Sequence, residues 1–75
     1  MNAYTAHATP EETVTFFEVW MLRQLGDAAT NENNLKARNA AEDLIFDDVE
    51  YWSNIDCERL YLYACERAKI QPYTR

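Results

Sequence analysis

Carboxylates are the commonest reactive groups in this chain, and seven of them fall in one stretch free of Lys and Arg: Glu42, Asp43, Asp47, Asp48, Glu50, Asp56 and Glu58. Acids at this density raise three chemistries: calcium binding, a two-metal centre and paired-carboxylate hydrolysis. A calcium loop of the EF-hand kind alternates acids around a sharp glycine turn. The single glycine here is Gly26, far from Asp47-Asp48-Val49-Glu50. A helical two-iron centre needs Glu-x-x-His pairs, and the one histidine, His7, stands near the start of the chain. Cys57, Cys65 and His7 are too few to close a tetrahedral zinc site. Hydrolysis between two carboxylates needs a cleft, for which a chain of 75 residues offers little room. No catalytic residue, metal or cofactor is therefore expected.

The thiols lead the same way. Cys57 sits between Asp56 and Glu58, whose charges disfavour the thiolate that a nucleophile needs, so it is expected to be a small core residue. Cys57 and Cys65 lie in one predicted helix, about 12 Å apart along its axis at about 1.5 Å per residue, too far to bond each other. Two thiols that cannot pair, with no leader-like segment ahead of them, point to the reducing cytoplasm. No apolar run approaches the roughly 20 residues that cross a bilayer.

With thirteen acids against seven bases, the net charge of -6 argues against direct binding to nucleic acid or to an anionic membrane. A DNA-reading helix needs its Arg, Lys, Asn and Gln on one face, whereas Arg59, Arg67 and Lys69 point to different sides of theirs. What remains is recognition of another protein. Asp43 and Asp47 are like charges one helical turn apart, a spacing that costs a few tenths of a kcal/mol in an isolated helix, or about 0.2–0.5. Nothing in the local sequence offsets this repulsion, and a basic partner surface would. Asp43, Asp47, Asp48 and Glu50 are accordingly expected to carry the contact, with Tyr51 and Trp52 as apolar anchors and Tyr63 beside them. A helical array of carboxylates can also occupy a site built for phosphates. This makes a nucleic-acid-binding protein one expected partner, and an inhibitor of the phage or mobile-element kind the nearest analogy in size and charge. The competing expectation is a structural homodimer joined through Phe16 and Trp20, with the acidic side serving only solubility.

The elements that must position these residues are helical. Two prolines and one glycine supply too few turns for a small β fold, while 48% hydrophobic and 13% aromatic residues supply bulk for a core. The sequence predicts an all-α fold, one domain over 1–75, with three main helices at about 10–25, 32–46 and 54–70. A loose arm at 1–8 and a short tail at 71–75 flank them. Thr9-Pro10-Glu11-Glu12 has the form of a capping box with proline at the first helical position, and Gly26 suits the end of that helix. Val14, Phe16, Phe17, Val19, Trp20, Met21, Leu22 and Leu25 spread over most of this helix's circumference. It is thus either central, or packed on one side and facing a second chain on the other.

Asp27 to Asn34 reads as a connection with a cap near Thr30 or Asn31. The second helix has Ala37, Ala40, Ala41, Leu44 and Ile45 as its inner stripe and Lys36, Asn39, Asp43, Asp47 and Glu50 on its wet side. Asp48 would fall inside the apolar stripe, where an unpaired carboxylate costs several kcal/mol, on the order of 3–5. A break at Asp47-Asp48 and a short helical turn through 48–52 follow. Ser53-Asn54-Ile55-Asp56 reads as a second capping box, opening a helix whose core stripe is Cys57, Leu60, Tyr61, Ala64, Cys65 and Ala68. Pro72 is expected to stop it near Ile70.

Overall fold

The computed structural model describes residues 9–73, and they form a helical bundle with no strand among them. The order is α1 (Pro10–Leu25), a 3-10 helix (Gly26–Thr30), α2 (Glu32–Asp47), α3 (Val49–Trp52) and α4 (Cys57–Ala68). The predicted arm at 1–8, with His7, lies outside the described residues, as do residues 74 and 75. No helix among the described residues is long and apolar enough to cross a membrane.

Each of the four α-helices begins where a side chain replaces a missing backbone partner. Thr9 Oγ1 accepts from the Glu12 N–H at 3.1 Å, and Glu12 Oε1 accepts from the Thr9 N–H at 3.0 Å, closing the predicted box. Asn31 Oδ1 accepts from the Asn34 N–H at 2.9 Å and opens α2. Gly26 ends α1 at φ +60°, a backbone that favours glycine, and the chain then winds directly into the 3-10 helix. At Asp48 the chain breaks as the apolar stripe requires. The backbone turns to φ -153° and ψ 75°, and the carboxylate leaves the core to accept from the Tyr51 N–H at 3.2 Å, starting α3.

The last long helix differs from expectation at both ends. It opens at Asp56, whose Oδ1 accepts from the Arg59 N–H at 2.8 Å, and the Ser53 capping box does not form. Ser53 and Asn54 are engaged at the end of α3 instead, where the Asn54 amide donates to the Glu50 carbonyl at 2.6 Å. At the other end Pro72 is not the stop. Lys69 takes a left-handed conformation, its N–H donating to the Glu66 carbonyl and the Ile70 N–H to the Cys65 carbonyl, the paired bonds of a Schellman turn. Ile70 folds back onto the core beneath that turn.

The central helix is α2, which makes its broadest contact with α4 and packs on α1 and α3 as well. Ala37 and Ala41 on α2 and Ala64 on α4 have no exposed surface, and with no side chain beyond Cβ they let the two helices approach closely. Phe17, Met21, Ile45, Leu60 and Tyr61 fill the space around that seam. Of the two placements its apolar circumference allowed, helix α1 is not the central one: it packs one side through Thr13, Phe17 and Met21. Its other side leaves Phe16, Val19 and Leu22 in solvent.

Candidate functional site

The predicted partner-binding residues lie on α2 and α3 and at the break between them, all exposed except the half-buried Trp52. Asp43 and Asp47 stand one turn apart on α2 and are exposed, Asp48 caps α3, and Glu50 projects from it. Among the described residues no Lys or Arg makes an ion pair with any of the four. The acids that do pair lie elsewhere: Glu32 with Lys36 at 3.9 Å, and Glu18 and Glu42 with Arg38 at 3.8 and 3.6 Å.

Tyr51 and Trp52 follow Glu50 directly on α3. Their rings meet edge to face with centroids 4.8 Å apart, and Trp52 meets Tyr63 of α4 the same way at 5.4 Å. The row Tyr51, Trp52, Tyr63 is thus held in the perpendicular geometry that ring quadrupoles favour. Tyr51 keeps 48% of its surface exposed and Trp52 is half-buried. Beside the row runs an open groove of about 520 Å³ lined by Leu44, Tyr51, Trp52, Tyr63, Glu66 and Arg67. Leu44, Glu66 and Arg67 did not emerge from the sequence as part of this surface. The available signal was spacing, since Glu66 and Arg67 follow Tyr63 by one helical turn.

Phe16 and Trp20, the pair expected at an oligomer interface, part company. Phe16 is 71% exposed. Trp20 is half-buried, its ring stacked on Phe17 at 5.9 Å and tilted toward Tyr61 at the same distance, so most of it belongs to the bundle's own packing.

Two further polar groups were not foreseen. One is a buried chain of hydrogen bonds through Asn34, which the sequence suggested as a loop residue. Its Nδ2 donates to the Ala28 carbonyl at 2.8 Å, and its Oδ1 accepts from the Tyr61 hydroxyl at 2.7 Å. The same hydroxyl accepts from the Tyr73 N–H at 2.8 Å, tying the predicted tail to the bundle as far as Tyr73. Burial pushes the Tyr61 hydroxyl above its usual range, opposed by the hydrogen bond from the Tyr73 N–H.

The other group is Glu18, Arg38 and Glu42, which bridge α1 and α2. Burial pushes the Glu42 carboxyl above its ordinary value of 4.5, helped by a hydrogen bond to Glu18 that exists only while one of the two is protonated, and opposed by the Arg38 charge. The sign follows from linkage. A carboxyl raised in the folded state favours folding when protonated, so its contribution grows as pH falls through the raised value and is complete below 4.5. Relative to Glu42→Gln, the wild type should therefore gain stability as pH is lowered from neutral toward that value. Parallel urea midpoints for the two proteins across this range would remove Glu42 as the source.

Neither thiol is prepared for nucleophilic work. Burial pushes both Cys57 and Cys65 up, with the Asp56 charge adding to the effect at Cys57. Among the described residues no three His, Cys, Asp or Glu side chains gather as a metal site would require. The charged groups lining the groove, Glu66 and Arg67, are exposed. No protein-family model, curated protein or solved structure matches the chain.

Proposed function

We propose that the chain is a non-enzymatic interaction module whose acidic, aromatic surface on α2 and α3 docks onto a basic surface of a partner protein. The observation that supports this reading is the set Asp43, Asp47, Asp48 and Glu50: four exposed acids with no ion-pair partner among the described residues, the last of them followed directly in α3 by Tyr51 and Trp52 of the aromatic row. Lys and Arg groups brought to this surface relieve the repulsion between Asp43 and Asp47. A guanidinium can also lie against the ring faces that edge-to-face packing leaves open, an attraction of about 0.5–2 kcal/mol depending on desolvation. Opposite fields would speed the encounter and fix its orientation. A protein whose basic groups normally hold phosphates presents the complementary pattern, which makes a nucleic-acid-binding protein the proposed partner class and occlusion of its phosphate site the proposed effect.

The test uses an oligo-arginine peptide as probe, titrated calorimetrically at several salt concentrations. Asp43→Lys/Asp47→Lys should weaken binding about tenfold, or about 1.4 kcal/mol, and flatten its salt dependence. The control, Asp27→Lys/Glu58→Lys, makes the same change in net charge away from the surface and should weaken it much less. Equal losses in the two variants would mean that the peptide senses only overall charge, and the proposed surface would be lost.

A further inference from the structure

The exposed side of α1 carries a pattern that the acidic surface does not use. Glu12, Phe16, Val19 and Arg23 are all exposed, Phe16 at 71% and Val19 at 40%. Their steps of four, three and four residues place them within about 60° of one another on a helix of 3.6 residues per turn. The order acid, apolar, apolar, base is symmetric in spacing and antisymmetric in charge. Turned end for end about the midpoint between Phe17 and Glu18, the helix puts Phe16 opposite Val19 and Glu12 opposite Arg23.

We infer that this side of α1 pairs with α1 of a second copy of the chain, antiparallel, with Phe16 against the partner's Val19 and Glu12 against the partner's Arg23. A twofold interface must be self-complementary, each residue meeting the residue that its counterpart meets, and this spacing satisfies that condition. The charges select the direction. In a parallel pair Glu12 would face Glu12 and Arg23 would face Arg23, whereas the antiparallel pair makes two attractive contacts and opposes the two helix dipoles. Neither end is already consumed. Arg23 makes no ion pair among the described residues, and Glu12 uses Oε1 for its cap, leaving Oε2 to accept. Leu22, 56% exposed, adds apolar surface at the flank, and Trp20 adds the edge of a ring mostly engaged by Phe17 and Tyr61. One face of a 16-residue helix buries less than the roughly 1,200–2,000 Å² of a standard stable interface, so the association is weak and concentration-dependent.

Sedimentation equilibrium across a wide concentration range tests the inference, with helicity followed by circular dichroism. The wild type should shift from monomer toward dimer, and Phe16→Ala should abolish the shift while remaining folded, because Phe16 is 71% exposed and stands outside the core cluster. Glu12→Arg and Arg23→Glu place like charges at both ends and should each weaken self-association about tenfold or more. Mixed in equal amounts, the two single variants regain both opposite-charge contacts and should form a heterodimer as tight as the wild-type dimer. The mixture also controls for any loss of the Thr9 cap in Glu12→Arg. A wild type that stays monomeric throughout overturns the inference, as does a mixture that associates no better than its components. Neither result touches the acidic surface, whose peptide titration involves no residue of this face.

Discussion

Ile45→Ala should lower the unfolding free energy by about 2–5 kcal/mol, the cost of removing a buried aliphatic side chain and leaving a cavity. Ile45 has no exposed surface and lies in the cluster between α1, α2 and α4. A chain of 75 residues has a total stability of about 4–11 kcal/mol at about 0.05–0.15 kcal/mol per residue, so this one change removes a large share of it. The core cannot readily close the gap, because its α2 neighbours are Ala37, Ala40 and Ala41, whose side chains have no rotamers with which to fill space. The measurement is the urea midpoint at fixed slope, and a loss below about 1 kcal/mol would mean that α2 and α4 can collapse together.

The second large effect concerns the Asn34–Tyr61 bond. Tyr61→Phe leaves the Asn34 Oδ1 without its donor and the Tyr73 N–H without its acceptor, in a setting where Asn34 and Tyr61 are both buried. Each buried group left unpaired costs about 1–3 kcal/mol. Asn34→Ala leaves the Tyr61 O–H without its acceptor, while the Ala28 carbonyl keeps the Asn31 N–H at 3.0 Å, so it should cost less than Tyr61→Phe. The double variant should cost less than the sum of the two by about 0.5–3 kcal/mol, since either change alone already breaks the shared bond. Additive losses would mean that the two side chains act independently.

These two predictions mark what the sequence could and could not reveal. Ile45 was legible because helical periodicity places it on a stripe with Ala37, Ala41 and Leu44. The break at Asp48 was legible because a carboxylate in that stripe has nowhere to go. Asn34 was not, since asparagine among asparagines reads as a turn, and only the tertiary partner Tyr61, 27 residues away, makes burial of its amide favourable. The start of α4 was misplaced for a local reason. Ser53 and Asp56 both fit a cap, and the choice fell to Asp56 once Ser53 and Asn54 were engaged at the end of α3. The end of the same helix is set by Lys69 adopting a conformation that lysine rarely takes, which no propensity scale would place there. At the candidate surface, exposure of Asp43, Asp47 and Glu50 followed from the wheel. The groove needed the packing of α3 on its neighbours, and the Glu18–Arg38–Glu42 bridge depends on how α1 and α2 meet.

The four-residue helix α3 has no fully buried residue and packs on the core only through the partly covered Val49 and Trp52, yet it bears Glu50, Tyr51 and Trp52 and is started by Asp48. Segments with so little sequestered surface open at a fraction of the free energy that unfolds the whole chain. Amide hydrogens of 49–52 should accordingly exchange with solvent long before those around Ile45 and Leu60. Half of the residues proposed for docking would then travel on a latch that lifts and reseats while the bundle behind it stays shut, letting the proposed surface adjust its outline to whatever it meets.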